Sequence, residues 1–254
     1  MSTIYSSLPN DWRDLQNKVA QILQECGFSV DIQKDINTVR GIVNIDVIAQ
    51  DITRKPISTY LCECKHWQTR VPKSVVHSFR TVVADYGANW GFIISSGGFQ
   101  RGACEAAVKT NIRLLVWEEF QEIFVNQWIV KYMLPRIHKV SDPLIKYTEP
   151  TNPQIFHKAK KLDPVSYNQF VDLRNKYTDL AHLTSPFRVV PLNMRHRILP
   201  YLPLRNIMII PHVKWTNIPD DLLDAVSLRD FLDILCNHLE EGINVFDHVF
   251  GERA

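Results

Sequence analysis

Two apolar segments limit what this chain can become: residues 42–49 and 57–65, each about as long as a strand, joined by a polar stretch containing Pro56. Side chains alternate faces along a strand, so Glu63 and Lys65 share one face of the second segment and Cys62 and Cys64 the other. Asp46 lies within the first segment. A hairpin made from the two brings two carboxylates and an amine to one edge, and the rest of the fold has to be a sheet that continues from it.

The flanking patterns supply that sheet. Asn10 can cap a helix starting at Asp11 and Trp12, with Leu15, Val19, Ile22 and Leu23 on one face and Gly27 as its stop. Phe28, Val30 and Ile32 alternate as in a half-buried strand, and residues 37–41 have turn chemistry. Pro72 can open a helix through Tyr86, with Val75, Val76, Phe79, Val82 and Val83 inward and Gly87 beyond its end. A strand at Gly91–Ser95, a helix from about Phe99 to Thr110 and a strand at Arg113–Trp117 imply a parallel pair. A closing helix at 118–131 follows. The order αβββαβαβ gives an α/β core, a mixed central sheet flanked by helices.

These patterns place a first domain at residues 1–140, a proline-containing linker at 141–153 and a smaller α+β module at 154–254. In that module the expected elements are a helix from Pro164 to His182, a strand at Ile207–Val213, and a helix opened by Ser227 and Asp230 in a capping box. With 45% hydrophobic residues and a net charge of +2, the chain can bury a core but carries no basic coat, so an anionic partner must be met by local patches. One such patch is residues 188–214, where Arg188, Arg195, Arg197, Arg205 and Lys214 are accompanied by no acid. Residues 217–254 hold nine acids against Arg229 and Arg253, so solvated faces that offset each other remain the other reading. Five cysteines without a CxxC pair suggest neither a disulfide framework nor a zinc site. No apolar run reaches the length of a membrane span, and a reduced cytoplasmic compartment is the expectation.

Phosphodiester hydrolysis needs a cation to offset developing charge and a group that positions the attacking water. Asp46 and Glu63 are hard oxygen ligands suited to Mg²⁺, with Mn²⁺ as a substitute, and the Cys64 backbone carbonyl can add a third oxygen. Lys65 beside them can orient the water or, with a lowered pKa, deprotonate it, and the spacing leaves both roles open. An acid in one strand and an ExK in the next also arise by chance on solvent faces.

The first helix from Leu15-Gln16 to Gly27-Phe28, the strand Val43-Asn44-Ile45-Asp46, the run Cys62-Glu63-Cys64-Lys65 and the block Gly91–Phe99 together resemble the Mrr-like family of restriction endonucleases, within the PD-(D/E)xK nuclease superfamily. The likeness covers about Asp11 to Phe124. It implies a restriction-endonuclease-like fold in which Asp46 and Glu63 bind a divalent metal and Lys65 assists the water. It also implies a glutamate in the first helix facing the metal, and this chain has Gln16 there, able to ligate through its amide oxygen but without charge. Glu25, on the opposite side of that helix, is expected in solvent.

Further candidates have two readings each. His66, next to Lys65, can touch a phosphate or be an ordinary surface residue, and Lys73, His77 and Arg80 can hold a DNA backbone or form a solvated stripe. Ser95-Ser96-Gly97-Gly98 reads as a tight turn and lacks the spacing of a nucleotide loop. Trp12, Trp90, Trp117 and Trp128 fall in apolar periodic segments and are expected in the core, whereas Trp215 follows the basic run and is placed to meet a partner. The combined reading is a Mg²⁺-dependent DNA endonuclease of restriction type, and the resemblance further implies a role in defence against foreign DNA. Its carboxyl-terminal module would serve target, sensor or dimer contacts, in a homodimer or with a partner protein. The alternatives are a nuclease fold without activity that serves binding, motivated by Gln16, and a nuclease of another class such as a junction resolvase or an RNA-directed enzyme.

Overall fold

The computed structural model describes residues 3–53, 55–189, 201–206 and 217–251. The chain divides into two compact units, Ser7–Lys131 and Met1–Ser6 with Tyr132–Ala254.

The first unit contains α1 (Trp12–Glu25), β1 (Ser29–Thr38), β2 (Gly41–Asp51), β3 (Ser58–Lys65), α2 (Lys73–Tyr86), β4 (Trp90–Ser95), α3 (Arg101–Ala107), β5 (Ile112–Val116) and α4 (Trp117–Trp128). The sheet order is β1-β2-β3-β4-β5. Strands β1, β2 and β3 are antiparallel neighbours, because short turns join them, and β3, β4 and β5 are parallel, because α2 and α3 form the crossovers. This is the αβββαβαβ core, with a closing helix. Helix α1 starts one residue later than the sequence suggests: Asp11 is the cap, its Oδ1 accepting from the Asp14 N–H at 2.7 Å, while Asn10 N–H donates to Asp14 Oδ2. Gly87 ends α2 at φ +76°, a conformation that costs glycine little.

Helices α2 and α3 bury Val76, Phe79, Val83 and Ala103 against Ile36, Ile45, Ile48, Leu61, Ile93 and Ile112. On the other face, α4 packs Phe124 edge-on against Phe28 and Phe92. Trp117 and Trp128 are core residues as expected, but Trp12 and Trp90 are 50% and 36% exposed. Each of these two lies under a guanidinium, Arg13 at 5.1 Å and Arg113 at 5.6 Å from the ring centroid, so an amphipathic ring remains at the surface. Strand β1 is an edge strand paired only with β2 and mostly exposed; Ile32 is 46% exposed rather than half-buried in a core.

The second unit is helical among the described residues: α5 (Leu134–Thr148), α6 (Pro153–Ala159), α7 (Pro164–Leu183), α8 (Ser185–Val189), α9 (Asp220–Leu223) and α10 (Leu228–Phe250). Helices α5, α7 and α10 share an aromatic core in which Phe246 stacks on Tyr147 and meets Phe170 and Tyr177. Ser227 caps α10 as expected, its Oγ accepting from the Asp230 N–H at 3.1 Å and donating to Asp230 Oδ2 at 2.6 Å. The expected strand at Ile207–Val213 lies outside the described residues, as do Arg195, Arg197 and Trp215.

The proposed linker at 141–153 is largely helical instead. Residues 141–148 belong to α5, where burial of Val140, Leu144 and Tyr147 outweighs the cost of about 3 kcal/mol for Pro143 in a helix interior. Pro153 opens α6 at its first position, with Asn152 as the cap. The prolines punctuate helices, and the compact units divide at Lys131 and Tyr132 rather than at residue 140.

Candidate active site

Asp46 sits where the sheet is irregular. The β1–β2 register pairs Ile32 with Val47 and Lys34 with Ile45 but skips Gln33 and Asp46, and Gln33 has φ +48°. The β2–β3 ladder ends at Val47 and Cys62. Ile45 and Ile48 both join the cluster under α2. Residues three apart in a regular strand lie on opposite faces, so the alternation slips by one residue around Asp46. The side chain of Asp46 takes over where the ladder stops: its Oδ2 accepts from the Cys64 N–H at 2.7 Å.

The other carboxylate oxygen and the Asp46 carbonyl both accept from Gln16 Nε2, each at 3.1 Å. Gln16 projects from α1 and is 2% exposed. Both facing atoms are acceptors, so the amide end turned to Asp46 is the NH₂ group and not the oxygen. Gln16 therefore presents a donor to Asp46, where the sequence suggested an amide oxygen for a metal.

Glu63 and Lys65 are brought together as a direct ion pair on β3, with side chains 22% and 19% exposed. Burial pushes the Glu63 carboxyl above its ordinary value; Lys65 pulls the other way and the Asp46 charge adds to the rise. The interaction with Asp46 places the two carboxylates in one electrostatic neighbourhood. Lys65 Nζ also lies 5.4 Å from the centroid of the Trp67 ring. N–H and C=O of one strand residue point to the same side, so the Cys64 carbonyl faces the β2 side, where its N–H meets Asp46. The Lys65 carbonyl faces the other way and accepts from the Ser96 N–H at 3.1 Å.

Glu63 and Lys65 open into a cleft of about 350 Å³, walled by Val43, Asn44 and Ile45 from β2, Trp67, and Ser74, Val75, Ser78, Phe79 and Val82 from α2. The basic stripe does not line it. His77 and Arg80 border a separate depression of about 300 Å³ with Arg40 and Asp85, and Lys73 lies near Gly102 of α3. At 100° per residue, Ser74 and Ser78 are on the cleft side of α2, and Lys73, His77 and Arg80 are turned away from it. The two serines went unread in the sequence, although their spacing of four places them on one face. His66 Nε2 lies 3.1 Å from the Pro9 carbonyl, which ties this residue to the segment before α1.

Glu25 is not simply solvated, since its Oε2 accepts from Trp128 Nε1 at 2.5 Å. Cys62 and Cys64 are buried, and burial pushes both thiols up, which suits core residues rather than metal ligands. A larger cavity of about 560 Å³, lined by aromatic residues from Phe28 to Phe124 with Arg113, contains none of the candidate site residues. Among the described residues no cluster of three or more His, Cys, Asp and Glu side chains could hold a metal ion. A divalent cation here would have two carboxylates and the Cys64 carbonyl, a hard-oxygen set that fits Mg²⁺, which retains several waters. No helix among the described residues is long and apolar enough to cross a membrane.

Comparison with curated proteins gives no match. A crystal structure titled "Protein of Unknown Function AF1548" is 17% identical, covering 64% of this chain and 96% of its own, with a TM-score of 0.38. Residues 8–124 match the Mrr-type catalytic domain model described as restriction endonuclease. That span holds α1, the whole sheet, Asp46, Glu63 and Lys65, and its mixed five-stranded sheet flanked by helices is restriction-endonuclease-like. Over residues 8–124, a little under half of its length, the chain is therefore similar to restriction endonuclease catalytic domains of the Mrr type and has a restriction-endonuclease-like fold.

Proposed function

We propose that the protein is a Mg²⁺-dependent DNA endonuclease that hydrolyses phosphodiester bonds at Asp46, Glu63 and Lys65, in defence against foreign DNA. The observation that carries this reading is the ion-paired Glu63 and Lys65 at a cleft beside Asp46, at the point where β2 leaves β3. Asp46, Glu63 and the Cys64 carbonyl would hold the cation, which when bound supplies charge neutralisation and acidifies a water. Mn²⁺ would serve in its place.

Each side chain has a derivable task. Asp46 is fixed at both carboxylate oxygens, by Gln16 and by the Cys64 N–H, so it needs little reorganisation to ligate. Glu63 must be ionised to ligate, and the ammonium of Lys65 beside it favours that form. Lys65 is clamped between Glu63 and the Trp67 face, where it can orient the attacking water and offset charge on the pentavalent transition state. Asn44, Ser74 and Ser78 supply neutral donors on the cleft wall for phosphate oxygens.

One such site cuts one strand, so double-strand cleavage would use two copies, with the second unit supplying dimer, sensor or target contacts. His66, Lys73, His77 and Arg80, outside the cleft, remain candidates for DNA contact, as do Arg195 and Arg197 from the sequence. Incubating supercoiled plasmid with the protein in Mg²⁺ or Mn²⁺ tests the reading. Nicked and linear products that disappear with chelator are expected; intact plasmid in both metals, at all protein concentrations, would favour a nuclease fold retained for binding.

A further inference from the structure

We infer that Gln16 is a positioning residue, which holds Asp46 in place through its amide N–H groups before any cation binds. The inference rests on the proposed role of Asp46 as a ligand. The β1–β2 register skips Asp46, and the β2–β3 ladder ends one residue away. Where a ladder stops, a partly buried backbone carbonyl is stabilised by a donor from another element. Gln16, 2% exposed on α1, reaches it at 3.1 Å and contacts Oδ1 of the same residue at 3.1 Å. With the Cys64 N–H on Oδ2 at 2.7 Å, both carboxylate oxygens and the carbonyl of one residue are fixed by groups from two other elements.

Carboxylate chemistry at position 16 would not do this. A glutamate there would set a second anion against two acceptor atoms, and only a cation between them would relieve the repulsion. The amide instead offers two donors to two acceptors. The irregular point of β2 is therefore held in the metal-free protein, and the carboxylate keeps lone pairs for a ligand. Gln16 acts through Asp46 rather than on the cation, with its own oxygen turned away from Asp46.

The test is to make Gln16→Glu and Gln16→Leu in the full chain and measure two quantities, the metal-free thermal midpoint and the affinity for Mn²⁺ by calorimetry. The leucine variant fills the space without donors and should bind Mn²⁺ about ten- to a hundredfold more weakly than wild type. The glutamate variant should melt roughly 4–11 °C lower without metal. Mn²⁺ should raise its midpoint by more than it raises that of wild type, which separates this loss from plain misfolding. Wild-type Mn²⁺ affinity in the leucine variant, or an unchanged metal-free midpoint in the glutamate variant, would overturn the inference. If no protein binds Mn²⁺ but the glutamate variant still melts early, the amide's hold on Asp46 stands and the metal-dependent reading falls.

Discussion

Gly97→Ala puts a methyl group into the tightest backbone approach near the cleft. A Cβ on Gly97 would lie 2.5 Å from the Trp67 carbonyl oxygen and 2.6 Å from that of Thr69, and both are backbone atoms that no rotamer change can move. Restoring ordinary contact at 3.4 Å requires the loops after β3 and β4 to part by about 0.9 Å. That stretches the 3.1 Å bond from the Ser96 N–H to the Lys65 carbonyl beyond useful length. Overpacking costs about 1–3 kcal/mol and the lost bond about 1 kcal/mol, so a loss of roughly 2–4 kcal/mol is expected. In a unit of about 125 residues this lowers the melting midpoint by roughly 8–15 °C. Lys65 and Trp67 move with the loop, so cleavage should fall by about a hundredfold at temperatures where the protein is still folded. Gly98→Ala is the control: no atom lies within 4 Å of its Cβ, and its φ of +73° costs only about 1–2 kcal/mol. Differential scanning calorimetry of both variants decides the matter. A Gly97→Ala midpoint within 2 °C of wild type, on the order of 0.5 kcal/mol, would refute the close approach.

Three further outcomes are expected. Glu63 is raised by burial, which Lys65 only partly offsets, so cleavage should fail on acidification at a higher pH than an ordinary carboxylate would allow, as a pH–rate profile shows. The linked stability is fully present below the unfolded-state value and is lost as pH rises through the raised folded-state value; metal-free melting of Glu63→Gln should lack that decline. Trp128→Phe removes the donor to Glu25 and should cost about 1–3 kcal/mol by urea denaturation while leaving plasmid cleavage unchanged. Native alkylation followed by peptide mass mapping should label exposed Cys104 and spare Cys26, Cys62, Cys64 and Cys236, all of them buried.

The elements that carry the site were legible because their signals are local. Helix α1 shows an apolar face and a Gly27 stop, α2 ends at Gly87, and the alternation in 57–65 assigns Glu63 and Lys65 to one face without reference to the rest of the chain. The irregularity at Asp46 was not legible. It depends on Gln33 taking a positive φ and on Gln16 arriving from thirty residues away, and neither leaves a periodic trace. Glu25 was misread for a similar reason, since its partner Trp128 is 103 residues distant. The linker assignment failed because proline has two uses: Pro143 is tolerated within a buried helix and Pro153 starts one, and composition alone does not separate these from a loop.

The most direct test of the central claim is single-turnover cleavage of plasmid by wild type and by Lys65→Ala at equal folded concentration in Mg²⁺. Lys65 pairs with Glu63 beside the Trp67 ring and is not itself a member of the hydrophobic core cluster, so its removal should leave the fold intact. The account predicts a rate about 10²–10³-fold lower for the variant with an unchanged circular dichroism spectrum. Equal rates for the two proteins would contradict it and move the chemistry away from this cleft.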